Sequence, residues 1–174
     1  PASEAIVFIS SPDSINYLYT LDKRKKVVFD ITTGLRLFDI EAETIDYLGH
    51  QTFLITRKEA KGLIGINGKP VLPAEYAAIV PSGNRFVSLL KDKKFGFFDL
   101  EKRILIKPEY TRNITPFSDQ LLIAFKDGFY GFIDWQSQPR TNFEFAEIRN
   151  WNDTTALVKR NFSWSVYSIP HQST

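Results

Sequence analysis

Short apolar and aromatic runs, about five or six residues each, follow one another along the chain and are closed by Gly, Pro, Asp and Lys-rich clusters. Runs of that length with β-branched and aromatic content predict strands. The first is EAIVFISS, ended by the turn cluster Ser11, Pro12 and Asp13. Further strands are expected at Lys94–Asp99, Arg103–Lys107 and Gln120–Phe125, three to a unit. Phe97 and Phe98 are adjacent and both large, so both faces of their strand need cover. The only stretch with a three-to-four spacing is DIEAETIDYL, Asp39 to Leu48, for which a single helical turn is expected. The pattern predicts an all-β chain of sequential antiparallel hairpins.

The runs also recur in phase. Gly62 leads to Tyr76, Gly96 to Tyr110 and Gly131 to Phe145 over the same interval, and the glycines themselves recur at about 35 residues. The same step lands on Val27 in KKVVFD and on Ser165 in WSVYS, two degraded copies such as the ends of a repeat array carry. One domain over 1–174 is expected, with units at 27–61, 62–95, 96–130 and 131–164 and partial copies at 1–26 and 165–174. About five such units predict a curved or superhelical antiparallel sheet, or alternatively a small propeller-like closed ring.

Each repeat position has a physical reading. Asp30, Asp99 and Asp134 share one position after the apolar pair, where a carboxylate caps turn amides; Gly65 and Ser168 stand there in the other copies. A calcium role is disfavoured, because calcium loops bunch several oxygen ligands locally. Asn67-Gly68 and Lys126-Asp127-Gly128 read as tight turns. Pro73 and Pro108 are placed just after the second strand, where the chain is expected to leave the ladder. The reference glycine is expected to make room for a ring from a neighbouring strand.

Composition narrows the function classes. The 174 residues are 43% hydrophobic and 14% aromatic, with 15 Phe and 7 Tyr, enough for a packed core. The net charge is only +2 with both signs interspersed, which gives no bulk drive toward nucleic acid or an anionic membrane. There is no cysteine, so disulfide, thiol and thiolate-metal chemistry are absent. No window has the length of apolar chain that a membrane-spanning helix needs. The chain begins at Pro1 and has no methionine, which predicts a processed chain or a segment of a longer protein.

The sequence of lysine, aromatic, glycine, aromatic, apolar and aspartate, followed by glycine, lysine, two apolar residues, proline and tyrosine, resembles the tryptophan-glycine (WG) repeat family over 27–169. At the Trp-Gly pair this chain carries Lys61-Gly62, Phe95-Gly96, Tyr130-Gly131 and Trp164-Ser165. The resemblance implies a β-hairpin array within a larger bacterial protein, with no assigned chemistry.

An enzyme is not expected. His50 and His171 lack the partner spacing of a metal site or nucleophile relay, and no nucleophile elbow or phosphate-binding glycine loop occurs. Glu75, Glu109 and Glu144 precede the closing aromatics, at a spacing that repeat geometry dictates, and are read as surface carboxylates. No cofactor or metal is expected. Binding is the better class, and two features are candidates for it. Arg57, Lys58, Lys91, Lys126, Lys159 and Arg160, with Lys23 and Arg24, form a basic set at the turn before each reference position. Lysines there also protect sheet edges, which is the simpler explanation of the set. Trp135 and Trp151 fall in apparent turns and are candidate exposed anchors, with core packing as the alternative. A protein-protein interaction or scaffold module is expected first and a carbohydrate or cell-surface module second. No nucleic-acid role is expected.

Overall fold

The computed structural model describes residues 6–10, 15–22, 25–152 and 154–168. Among these residues there are eighteen strands and no helix, gathered in five sheets that follow the chain in order. The first sheet holds β1 (Ile6–Ser10), β2 (Ile15–Asp22), β3 (Lys25–Asp30) and β4 (Arg36–Ile40). The second holds β5 (Thr44–Gly49), β6 (Thr52–Arg57), β7 (Ala60–Gly65) and β8 (Pro70–Tyr76), and the third β9 (Ala78–Ser82), β10 (Phe86–Lys91), β11 (Lys94–Asp99) and β12 (Ile104–Tyr110). The fourth holds β13 (Thr115–Pro116), β14 (Leu121–Lys126) and β15 (Phe129–Asp134), and the fifth β16 (Glu147–Asn152), β17 (Thr155–Arg160) and β18 (Ser163–Ser168). The strand ladder does not run on from one repeat into the next. The contacts gather the chain into two compact units, Pro1–Lys91 with Asp99–Arg103, and Asp92–Phe98 with Ile104–Thr174.

Each meander is pinned by tight hairpins. The two-residue turns Lys58-Glu59, Asp92-Lys93 and Asp127-Gly128 all have positive φ, the conformation whose twist matches the flanking strands. His50 and Gln51 make a similar turn between β5 and β6. The turn cluster Ser11 to Asp13, Lys23, Arg24 and His171 lie outside the described residues.

Three local expectations are corrected. Asp39 to Leu48 forms no helical turn: Ile40 closes β4 and Thr44 opens β5, in which Ile45 is buried and Asp46 exposed. The strand period of two therefore prevails over the three-to-four spacing. The chain also does not leave the ladder at Pro73 and Pro108, because β8 and β12 run through them to Tyr76 and Tyr110. Both strands are the outermost of their sheets, where a missing N–H costs no ladder bond. Finally, the complete repeats have four strands where three were expected. The extra one, β5 or β9, opens its sheet and fully buries a single residue, Ile45 or Ile79.

The reference glycines are explained by backbone, not by a ring. A Cβ on Gly62 would lie 2.8 Å from Ala74 Cα, and one on Gly96 would lie 2.6 Å from the Ile106 carbonyl oxygen. The fourth strand crosses directly over them, in the irregular register that separates the Lys61↔Tyr76 and Leu63↔Leu72 pairs. Gly131 alone fits the expectation in part, since the Phe143 ring approaches to 3.1 Å beside the Asn142 carbonyl. In the fifth sheet the position is Ser165, and β18 is an edge strand among the described residues.

The repeats share one packing rule, which follows from the alternation of side chains across a strand. The residue after the reference position (Val28, Leu63, Phe132, Val166) points to what is here termed the front of its sheet. The next one (Phe29, Ile64, Tyr167) points to the back. In the first unit the front of the first sheet, with Tyr17, Val28, Phe38 and Ile40, packs on the back of the second, with Ile45, Phe53, Ile55 and Ile64. Phe53 makes edge contacts with Tyr17 at 5.1 Å and with Phe38 at 5.4 Å between ring centroids. Burial, together with a hydrogen bond to Tyr47, pushes the Tyr17 phenol up to about 12. In the second unit the front of the fourth sheet, with Phe132 and Ile123, packs on the back of the fifth, with Ile148, Ala156, Val158 and Tyr167.

Candidate interaction surface

The periodic aspartates act on their own turns. Asp99 Oδ1 accepts from the amides of Glu101 and Lys102, both at 2.9 Å, and Asp134 Oδ1 accepts from Gln136 at 2.9 Å and Gln138 at 2.8 Å. Asp30 Oδ1 accepts from the Thr33 amide at 2.9 Å. Asp99 is fully buried, and Arg85 donates to it through Nη2 at 2.7 Å and Nε at 3.0 Å. Burial pushes its carboxyl up, but the Arg85 guanidinium and the two turn amides outweigh that and hold it below the ordinary carboxylate value. Among the described residues, no group of three His, Asp or Glu side chains is gathered for a metal.

The basic residues sit where the sequence placed them, at the second-strand ends of the hairpins, and most meet a partner. Lys91 pairs with Glu75 at 2.8 Å, and Arg160 pairs with Glu144 at 2.7 Å. Two periodic features of the sequence thus form one device: the carboxylate before the closing aromatic of one repeat meets the turn cation of the next. Arg160 also lies over the Phe145 ring, 5.0 Å from its centroid. Arg57 Nε donates to the Glu41 carbonyl at 2.7 Å, and the Lys58 amide donates to Glu43 Oε1 at 2.9 Å. Both residues line an open cleft of about 1070 Å³ whose wall also carries Asp39, Glu41 and Glu43. The cleft is therefore of mixed sign. Lys126 is exposed at its turn, and Lys159 lies 5.7 Å from the centroid of the Trp164 ring.

The two candidate tryptophans part company. Trp135 is no exposed anchor: it is 8% exposed, its indole Nε1 donates to the Asp119 carbonyl at 2.8 Å, and its ring centroid lies 6.1 Å from that of Phe97. A ring following a turn-capping aspartate is large enough to fold back over its own sheet, and its one polar atom finds a partner there. Trp151 is 66% exposed.

The fifth sheet carries a larger surface that sequence reasoning did not single out; Trp151 stands beside it at the irregularity between Asn150 and Asn152 and has no register partner. Across β16, β17 and β18 the register pairs Glu147, Lys159 and Trp164 in one row and Arg149, Leu157 and Val166 in the next but one. These rows form the front of the fifth sheet. Val166 is 61% exposed, although Leu63, Phe97 and Phe132 at the same repeat position are wholly buried. Trp164 is 41% exposed and carries Arg149 over its ring at 4.8 Å; Arg149 in turn donates to Glu147. Phe162, in the β17–β18 turn, is almost fully exposed. The signal available in the sequence was the repeat phase itself: Val166 occupies a core position in a copy that has no described neighbour in front of it.

Comparison with known proteins adds a family match and distant structural likenesses. No curated protein matches the chain. Among solved structures, the crystal structure of the eukaryotic initiation factor is 12% identical over 97% of this chain and 52% of that chain, with a TM-score of 0.47. Kluyveromyces lactis Hsv2 is 14% identical over 95% of this chain and 63% of that one, with a TM-score of 0.34. The C-terminal WD40 domain of Sif2 is 11% identical over 95% and 69%, with a TM-score of 0.30. The chain spans roughly half to two thirds of the length of the initiation-factor and Hsv2 chains. Residues 95–128, the stretch from Phe95 through the third repeat's capped turn to the next hairpin, match the family model described as WG containing repeat, the family whose unit the glycine-phased pattern resembles.

Proposed function

We propose that the chain is a non-catalytic module for protein-protein interaction, working within a larger protein, and that its contact surface is the front of the fifth sheet. The observation that carries this is Val166, an aliphatic side chain 61% exposed at a position wholly buried in the four other copies. On the same face stand Trp164 and Leu157, with Glu147, Arg149 and Lys159 as a charged rim. An apolar centre with tryptophans and a polar border is the make-up of a protein-binding patch. The carbohydrate reading receives less support, because Arg149 and Lys159 already lie at the Trp164 ring, where a sugar would stack.

The test is site-specific photocrosslinking in the protein's own host. A crosslinker at position 166 is expected to give discrete protein adducts, and one at Lys102, in an exposed turn of the third repeat, to give none. No adduct at 166, or the same adducts at both positions, would refute the reading.

A further inference from the structure

Two departures from the repeat meet in one place. Counted from the reference position, Ala60 stands where the other copies carry Lys25, Lys94, Phe129 and Ser163, and Ala74 where they carry Asp39, Pro108 and Phe143. Both alanines line the open cleft of about 1070 Å³, all of whose lining residues belong to the first unit. Ala42, Ala60 and Ala74 are half-buried and Ile40 is buried, whereas Lys25, Glu41, Glu43, Arg57 and Lys58 are exposed. The cleft thus has a small apolar floor between charged walls. Lys26 is 8% exposed, and its Nζ donates to the carbonyls of Ala42 at 2.6 Å and Glu43 at 2.9 Å. Arg57 Nε takes the Glu41 carbonyl, and the Glu43 amide donates to the Thr56 carbonyl at 2.8 Å. A buried ammonium is tolerated only when it is well bonded, and this one holds a connector, 41–43, that belongs to no strand.

The charges around that connector are ordered. Glu41 and Glu43 lie on it, and it is bonded to Lys26 of the first sheet, beside Lys25, and to Arg57 and Lys58 of the second. Carboxylates therefore stand between cations from two hairpins. Asp39, near the end of β4, is engaged by Arg36. We infer that the cleft binds an extended peptide segment of a partner protein, in which a lysine or arginine stands between acidic residues. Size argues for a peptide, since ligand pockets run to roughly 1,000 Å³ and this one has room for several residues of extended chain. The basic side chain meets Glu41 and Glu43, and the acidic ones meet Lys25 at one end and Arg57 with Lys58 at the other. Such complementarity fixes register more than it adds affinity. The small floor admits the peptide's backbone, where a side chain such as Lys94 or Phe129 would fill the space. Because Lys26 and Arg57 already hold the connector, little ordering is left for binding to supply. The site shares no residue with the contact surface on the fifth sheet and stands independently of it.

The experiment selects a phage-displayed library of random peptides on the immobilised full chain at low salt. The peptide most enriched is then synthesised and titrated by fluorescence anisotropy against the parent and three variants. Ala60→Phe fills the floor with the residue that the fourth repeat carries there, Glu41→Lys reverses an exposed charge on the connector, and Val166→Asp changes the fifth sheet instead. Circular dichroism and thermal melting first establish which variants keep the parent's fold; should Ala60→Phe fail, Glu41→Lys decides. The enriched peptides are expected to carry a basic residue between acidic ones. Binding is expected to weaken by about tenfold or more in Ala60→Phe and in Glu41→Lys, to stay at the parent's value in Val166→Asp, and to fall as salt is raised. The inference is overturned if no peptide is enriched, if the enriched peptides lack that charge pattern, or if either cleft variant folds and binds like the parent. Loss of binding in Val166→Asp alone would put the peptide on the fifth sheet, which overturns this inference and leaves the proposed contact surface standing.

Discussion

Phe132 and Tyr167 lie nearly parallel, their ring centroids 4.7 Å apart and their planes 14° from one another. One follows the reference glycine of the fourth repeat and the other comes two places after the reference serine of the fifth, so a single stacked pair joins consecutive repeats. Phe132 is wholly buried, in contact also with Phe117 and Phe145. Phe132→Ala is expected to destabilise the second unit by about 3 to 5 kcal/mol, the range for emptying an aromatic site in a packed core. Denaturant unfolding followed by the loss of β-sheet ellipticity measures it; a cost below about 1 kcal/mol would show that the pair is not a core contact.

The glycine at position 96 is there for backbone approach. Gly96→Ala places a Cβ 2.6 Å from the Ile106 carbonyl oxygen, which cannot move without shifting β12. A loss of about 2 kcal/mol is expected, in the range of overpacking a tight site. Ser165 already carries a Cβ at the same repeat position, on a strand with no described fourth neighbour, so Ser165→Ala is expected to stay within about 0.5 kcal/mol of the parent. Equal effects at the two positions would sink the explanation.

Trp135 and Trp151 are expected to behave oppositely. Trp135→Ala removes a buried ring and the hydrogen bond to Asp119, and is expected to cost about 3 to 5 kcal/mol. Trp151→Ala is expected to change stability by no more than about 0.5 kcal/mol and to lower the yield of adducts from a crosslinker at position 166. Loss of folded protein from the Trp151 variant would move that residue from the contact surface into the packing.

The buried Asp99 makes the fold acid-sensitive in a defined direction. Its carboxyl lies below the ordinary value of 3.8 in the folded protein, so the charged form is the one the fold prefers. The resulting stabilisation is fully present above the unfolded value, near pH 4, and is lost as pH falls through the depressed folded value. Asp99→Asn keeps one turn acceptor but removes the charge facing Arg85, at a cost of about 2 kcal/mol near neutrality. Melting temperatures from pH 7 down to pH 2 are expected to converge between parent and variant at the acid end. A difference that stays constant with pH would refute the charge assignment.

The repeat phase was legible because it is written in backbone-determining residues: Gly62, Gly96 and Gly131 mark a close crossing, and Asp99 and Asp134 cap the turn that follows it. The all-β class and the hairpin turns followed from the same residues. What could not be read was how each position is used across space. The glycine's partner is a strand's backbone, which has no side-chain signature. Strand β16 carries Arg149, Asn150 and Asn152 and lacks a strand's apolar alternation, since it lies on an open sheet. Trp135 does lie in a turn, and the burial of its ring could not be read because the ring's direction is set by tertiary packing. The front of the fifth sheet was hidden for a simpler reason, as a core residue such as Val166 gives no sign in its own sequence that no described sheet covers it.

Pro73 and Pro108 lie on the outer strands of the second and third sheets and have no N–H to offer an incoming strand. Strand addition along those rims therefore lacks hydrogen bonds that any other residue would supply. Lateral fusion of sheets is disfavoured there, while stacking on an end face needs no backbone bonds and is untouched by proline. Those two rims are thus guarded against edge-to-edge aggregation by residues that leave the packing of sheet faces unaffected.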